Sequence, residues 1–193
     1  MDTSSIIMIV ISVGLMIGVL LLVGLAVSIY NRLVLLKNNI NKAWSNIDVL
    51  LKQRHDELTK LLEVVKGYMR HEEHVLTEVT KARTAFMGAS SVGEKAQASN
   101  MLTGALKSLF AVSENYPDLK ADTSFLNFQS RISDLEDQIA DRREFYNDSV
   151  NVYNIRIAQI PDVIIARMLA YTERDLFEAG ETDKKDVVID FGK

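Results

Sequence analysis

The sequence predicts an all-α protein: an N-terminal transmembrane helix continuing into a long antiparallel helical bundle of coiled-coil character. Three observations carry this reading. Ile6 to Ile29 contains no charged residue. An apolar stripe at helical spacing follows at once and runs to Phe86, with the first proline only at Pro117. Outside the C-terminal tail, no stretch alternates apolar and polar residues as a half-buried strand does.

The span comes first. As a helix, Ile6–Ile29 reaches ~36 Å, enough to cross a hydrocarbon core ~30 Å thick with some tilt. Ala26-Val27-Ser28 has the small-x-small form of a cleavage site, but the apolar run is longer than a signal's. Met1–Ser5 also holds Asp2 and no Lys or Arg, so an uncleaved anchor is expected. Arg32, Lys37 and Lys42 follow the span, and the positive-inside rule then puts the N-terminus outside and the C-terminal domain in the cytoplasm. Gly14 and Gly18, then Gly24 and Ser28, place small residues four apart. Such faces let membrane helices approach closely.

The rod comes next. Alternate steps of four and three residues from Leu33 pass through Lys37, Ile40, Trp44, Ile47, Leu51, Arg54, Leu58, Leu61, Val65, Tyr68, Glu72, Val75, Val79, Ala82 and Phe86. Only Lys37, Arg54 and Glu72 are not apolar or aromatic. This is a sustained heptad seam, and Gly67, costing ~1 kcal/mol, is expected to be absorbed within one helix from Tyr30 to Phe86.

The remaining helices have clear punctuation. Gly88 to Gly93 reads as a loop, and Ser91-x-x-Glu94 is a capping box opening a second helix. That helix carries Met101, Leu102, Ala105, Leu109 and Val112 on one side and stops before Pro117. Asp122 can cap a third helix, in which Phe125, Ile132, Ile139, Tyr146, Tyr153 and Ile160 recur every seven residues until Pro161. Asp162 can cap a fourth, containing Val163, Ile164, Ile165, Met168, Leu169, Leu176 and Phe177. The expected domains are a tail (1–5), the span (6–29), the bundle (30–179) and a flexible polar tail (180–193) with an apolar sticker at Val187–Phe191.

Short connections favour antiparallel neighbours. The second helix, ~35 Å long, covers only the upper rod in this reading. That leaves Leu33, Ile40, Trp44, Ile47 and Leu51 without a partner in their own chain. Together with Gly14 and Gly18 they form the expected homo-oligomer interface, since a large uncovered apolar stripe marks an interaction site. The third-helix seam at Ile132, Ile139, Tyr146 and Tyr153 is expected to pack on Leu58, Leu61, Val65 and Tyr68.

Chemistry is sparse. The net charge of −4 argues against nucleic acid, which needs a basic face. The absence of cysteine excludes disulfides, thiolate nucleophiles and Cys-ligated zinc. His71-Glu72-Glu73-His74 places two His at i and i+3, but the zinc-protease motif needs i and i+4, and no Glu-x-x-His appears. His55, Asp56 and Glu57 are adjacent on a helix and point apart. No Gly-x-Ser-x-Gly, Ser-x-x-Lys or phosphate-binding loop is present. Asp134, Glu136, Asp137 and Asp141 read as a solvated acidic face. Tyr146-Asn147 and Tyr153-Asn154, seven apart, read as core aromatics whose hydroxyls need partners. No catalytic, cofactor-binding or metal-ligating residue is assigned.

Longer strings carry a resemblance. Tyr30-Asn31-Arg32-Leu33-Val34, the run Ala43 to Leu51, Arg54 to Leu58, Val65-Lys66-Gly67-Tyr68 with His71-Glu72, Phe110 to Ala121, and Arg142 to Asn147 are similar to the LemA family. The match covers nearly the whole chain in order. The resemblance implies a bacterial inner-membrane protein with one span, a helical bundle and no known enzymatic activity. It includes a relative involved in magnetosome formation. Family genes often neighbour a membrane-bound zinc metalloprotease, implying a possible partner. The family often has a Pro before a terminal Val-x-Phe; Val187 to Phe191 has none. The function expected is therefore a non-catalytic membrane scaffold in contact with the lipid bilayer. A protease accessory subunit is the alternative, and an undiscovered metal-dependent enzyme the remote one.

Overall fold

The computed structural model describes residues 2–178. Met1 and residues 179–193, including the expected tail and its Val187–Phe191 sticker, lie outside the described residues. Six helices follow in order: α1 (Thr3–Tyr68), α2 (Glu73–Gly88), α3 (Val92–Ser113), α4 (Pro117–Ala121), α5 (Thr123–Ala158) and α6 (Asp162–Met168). No strand occurs among the described residues. Among the described residues two compact units are formed, one from residues 2–41 with 149–174, the other from 42–148 with 175–178. Helices α1 and α5 contribute to both.

In the second unit four helices alternate in direction. Arg83 Nε donates to His55 Nε2 at 3.0 Å, with the Phe86 and His55 rings 6.0 Å apart, so α2 runs back down α1. Lys95 pairs with Asp48, and Arg54 reaches Ser99, so α3 runs up beside α1. Tyr68 Oη donates to Asp122 at 2.9 Å, Arg54 pairs with Glu136 and Trp44 meets Tyr146, so α5 descends along α1. Between these helices Leu58, Leu61, Val65, Met69, Val79, Leu102, Leu109, Leu119, Phe125 and Ile132 form the core.

Three expectations are corrected here. The first helix ends at Tyr68 instead of Phe86. Gly67 weakens its last turn, Met69 is fully buried as the chain turns, and α2 then buries Val75, Val79, Ala82 and Phe86. The heptad count runs through the break because both helices bury a stripe. Consequently the helix opened by the capping box is parallel to the first helix and antiparallel to α2.

The second correction concerns the lower stripe. With no other chain present, Leu33 is 0% exposed, Ile40 4%, Ile47 0% and Leu51 1%. These residues have partners within the chain. At 36 residues α5 is ~54 Å long and supplies the cover that α3 is too short to give. The third concerns the seam on α5. Ile132, Ile139, Tyr146 and Tyr153 are all buried, but the pairs 54 with 136 and 44 with 146 put Ile139 at the level of Leu51 and Tyr146 at that of Trp44, lower than expected.

The local signals at helix starts hold where a side chain is free to bend back. Ser91 Oγ accepts from the Glu94 backbone N–H at 3.2 Å, and Glu94 accepts from that of Ser91 at 3.0 Å. Asp122 Oδ1 accepts from Ser124 and Phe125 at the start of α5.

In the first unit, the run from Ile6 to Val27 is exposed apart from the half-buried Gly18 and Ala26; burial then begins at Ile29 and Leu33. Around the latter the unit buries Val150, Tyr153, Ile157 and Ala166. The Tyr171 ring lies between Lys37, whose Nζ is 4.9 Å from its centroid, and Tyr153 at 6.3 Å. Asp162 makes no capping bond. It is buried and faces Arg156 Nε at 3.2 Å, without hydrogen-bond alignment. The fourth helix is also shorter than expected. Ala170 takes φ 50°, its N–H bonds Arg167 O, and the Tyr171 N–H bonds Ala166 O. This pair of bonds is a Schellman ending. Leu176 and Phe177 lie beyond it, outside any helix.

Candidate functional site

The most concentrated chemistry in the second unit is a polar network inside the bundle. Arg54, on the α1 seam, is 1% exposed. Its Nη1 pairs with Glu136 and donates to Thr103 Oγ1 at 3.3 Å; its Nη2 donates to Ser99 Oγ at 2.7 Å and to the Ser99 carbonyl at 3.4 Å. Thr103 Oγ1 donates to Glu136 Oε2 at 2.9 Å. Arg143 Nη2 donates to the same Ser99 Oγ, and its Nη1 to Asn100 Oδ1 at 3.2 Å. The sequence of α3 makes this possible. Small residues on its buried side, Ala96, Ser99 and Ala105, leave width for a guanidinium to reach the α3 backbone.

Two guanidinium groups thus share the Ser99 hydroxyl, and the carboxylate of Glu136 pairs with one of them, Arg54. Burial lowers the Arg143 pKa to about 10, with repulsion from Arg54 adding to it and Glu136 opposing. Burial lowers the Arg54 pKa as well, against the pull of Glu136. Glu136 is not part of a freely solvated acidic face: its side chain is 26% exposed and faces inward to Arg54.

Next to this network is an aromatic seat. Trp44 lies 5.9 Å from the Tyr146 ring and 6.0 Å from Phe177, whose other neighbour is the Arg143 guanidinium, 4.6 Å from the ring centroid. Phe177 is 3% exposed. Its backbone is held in both directions: Asn147 Oδ1 accepts from the Phe177 N–H at 2.7 Å, and Asn147 Nδ2 donates to its carbonyl at 3.2 Å. The Tyr146 hydroxyl donates to the Asp175 carbonyl at 3.0 Å. Within the first unit Asn154 repeats the device on Arg174, accepting from its N–H and donating to its carbonyl, both at 2.9 Å. A primary amide offers one acceptor and two donors, which match one residue of extended backbone. The Tyr-Asn pairs are therefore core aromatics, as expected, joined to backbone clasps that were not.

Other sequence candidates separate. His71 lies in the turn after α1 and His74 in the first turn of α2, so the helical i, i+3 relation does not apply. His55 is held by Arg83, as described above. Among the described residues no group of three His, Asp or Glu gathers as a metal site would. Gly14 and Gly18 have nothing within 4 Å of where a side chain would project, as is true of the other described glycines. The network around Arg54 and the Asn147 clasp were missed. A charged residue at a seam position was the signal for the first, and Asn recurring at seven for the second.

Fold and site define a class: an all-helical bundle protein, headed by one helix long and apolar enough to cross a membrane. Its distinctive groups are the Arg54–Glu136 pair and the Asn147 clasp on Phe177. The LemA family profile matches residues 43–191, and the chain belongs to the LemA family. It is 31% identical to "Protein LemA" of Metamycoplasma hominis over 162 residues, covering 81% of this chain and 72% of that protein. It is 23% identical to "Magnetosome protein MamQ 2" of Paramagnetospirillum magneticum over 182 residues, covering 79% and 67% respectively. A MamQ protein of Magnetospirillum gryphiswaldense is 22% identical over the same length.

Proposed function

We propose that this chain is a non-catalytic, membrane-anchored scaffold, which holds a helical bundle at the cytoplasmic face of a bacterial inner membrane and self-associates there. The observation that carries the reading is α1: a single 66-residue helix includes both the uncharged apolar run and the buried seam from Leu33 to Leu62. Both stretches belong to one unbroken helix, with no linker between them. With the Leu33–Leu51 stripe covered inside the chain, the basis for self-association narrows to the open Gly14 and Gly18 face. Kinship with proteins named for the magnetosome agrees with a membrane-bound structural role.

The experiment uses intact membranes. The full chain should resist carbonate extraction, and Gly14→Cys or Gly18→Cys should crosslink between chains far better than Met16→Cys or Leu20→Cys on the opposite face. Release by carbonate would overturn the anchor. Equal crosslinking at both pairs, or none, would overturn self-association through this face.

A further inference from the structure

The first unit leaves apolar side chains uncovered at one level. Ile160 is 84% exposed, Ile164 58% and Met168 78%. On α6, Ile164 and Met168 share a face four residues apart, while Asp162 and Ala166, also four apart, are buried on the other. The helix thus turns Ile164 and Met168 outward while Asp162 and Ala166 face the unit. Its level along α1 follows from Tyr171, which touches both Lys37 and Tyr153. Helix α5 ends at Ala158, five residues and ~7.5 Å past Tyr153; the same distance back along antiparallel α1 reaches Arg32, and Ile160 follows two residues beyond the end of α5. Tyr30 directly follows the uncharged run and is itself 46% exposed. Ile160 therefore stands near the end of the apolar run, and α6 leads from there toward Tyr171 at the level of Lys37, so Ile164 and Met168 lie within the ~7.5 Å between the two.

We propose that the α5–α6 turn and α6 are a second membrane contact, with Ile160, Ile164 and Met168 inserted into the lipid boundary on the bundle's side of the bilayer. This rests on the reading of Ile6–Ile29 as a span. The occupant is lipid because the patch is continuous with the end of an apolar span and is accompanied by the groups that mark that zone: an exposed Tyr and the exposed cations Arg32 and Arg167. An interfacial helix seats its apolar face ~5–10 Å into the headgroup and acyl boundary, and anionic headgroups attract nearby cations. Joined to the same unit as the span, such a contact fixes the rotation of α1 about its own axis.

The chain lacks cysteine, so single labels are clean. The full chain is reconstituted in vesicles of phosphatidylethanolamine and phosphatidylglycerol, with a polarity-sensitive fluorophore on Ile160→Cys, Ile164→Cys or Met168→Cys. Leu20→Cys reports the span and Lys107→Cys exposed bundle surface. Lipids carrying nitroxides on both shallow and deep acyl carbons serve as quenchers, so that labels at the boundary and at the middle of the bilayer are both reached. The three test labels should be quenched to a degree comparable with position 20, while position 107 is not. Test labels that behave like position 107 beside a quenched position 20 overturn the proposal alone. Blue-shifted but unquenched test labels mean that protein covers the patch, and also overturn it. An unquenched position 20 removes the anchor and this contact with it.

Discussion

Arg54 occupies a seam whose neighbours are Leu51, Leu58 and Leu61, and it is as buried as they are. A guanidinium there is held by Glu136, Ser99 and Thr103. Removing one member of such a buried pair leaves a charge without its partner, which costs about 3–5 kcal/mol, whereas an apolar replacement of the pair is often neutral. Glu136→Ala should therefore destabilise the full chain by about that amount in denaturant titrations, and Arg54→Met added to it should restore most of the loss. Equal damage from the single and double variants would show that the two side chains are not coupled. Glu94 gives a pH signature at the same scale. Hydrogen bonds from the backbone N–H groups of Ser91 and Ser90 lower its pKa from 4.5 to about 2. A carboxylate lowered on folding stabilises fully above its unfolded pKa and loses that contribution as pH falls through the folded one. The stability difference between the natural chain and Glu94→Ala should be constant above about pH 5, shrink between 4.5 and about 2, and vanish below.

Among the elements, α6 ends on an alanine in the left-handed region, where glycine is the usual residue. The left-handed conformation costs a side-chain-bearing residue about 1–2 kcal/mol, and glycine's extra freedom when unfolded offsets about half of that. Ala170→Gly should raise the melting temperature of the detergent-solubilised chain by about 2–4 °C. A fall would mean that this ending does not form. Legibility at this scale divides along physical lines. Signals that act within one turn were readable: the Ser91–Glu94 box, the Asp122 cap, and the breaks near Pro117 and Pro161. The break at Tyr68 was not, because Gly67 weakens a helix without stopping it and the apolar period continues on both sides. Arg54 could be read as a misfit in the seam, but only the small residues of α3 show how it is accommodated. Asn147 and Asn154 could be read as a repeat, but not as clasps, because the backbone they hold lies some 20 to 30 residues away in sequence.

For the whole molecule, the class was readable from two periods alone, an uncharged run and a heptad stripe. The covering of the lower stripe was not, because it depends on how far α5 travels back along α1, and no local residue encodes that distance. The proposed orientation rests on Arg32, Lys37 and Lys42, which follow the apolar run while no cation precedes it in this sequence. A phosphatase active only outside the cytoplasm should be inactive when fused after Lys193, and strong activity would reverse the assigned topology.

Trp44 is the chain's one tryptophan, and it touches the aromatic ring of the last stretch of backbone to be clasped, Phe177. Indole emission reddens on contact with water. The molecule therefore contains its own optical gauge: without any dye, the colour of one residue's fluorescence records whether the segment ending the described chain is seated or released.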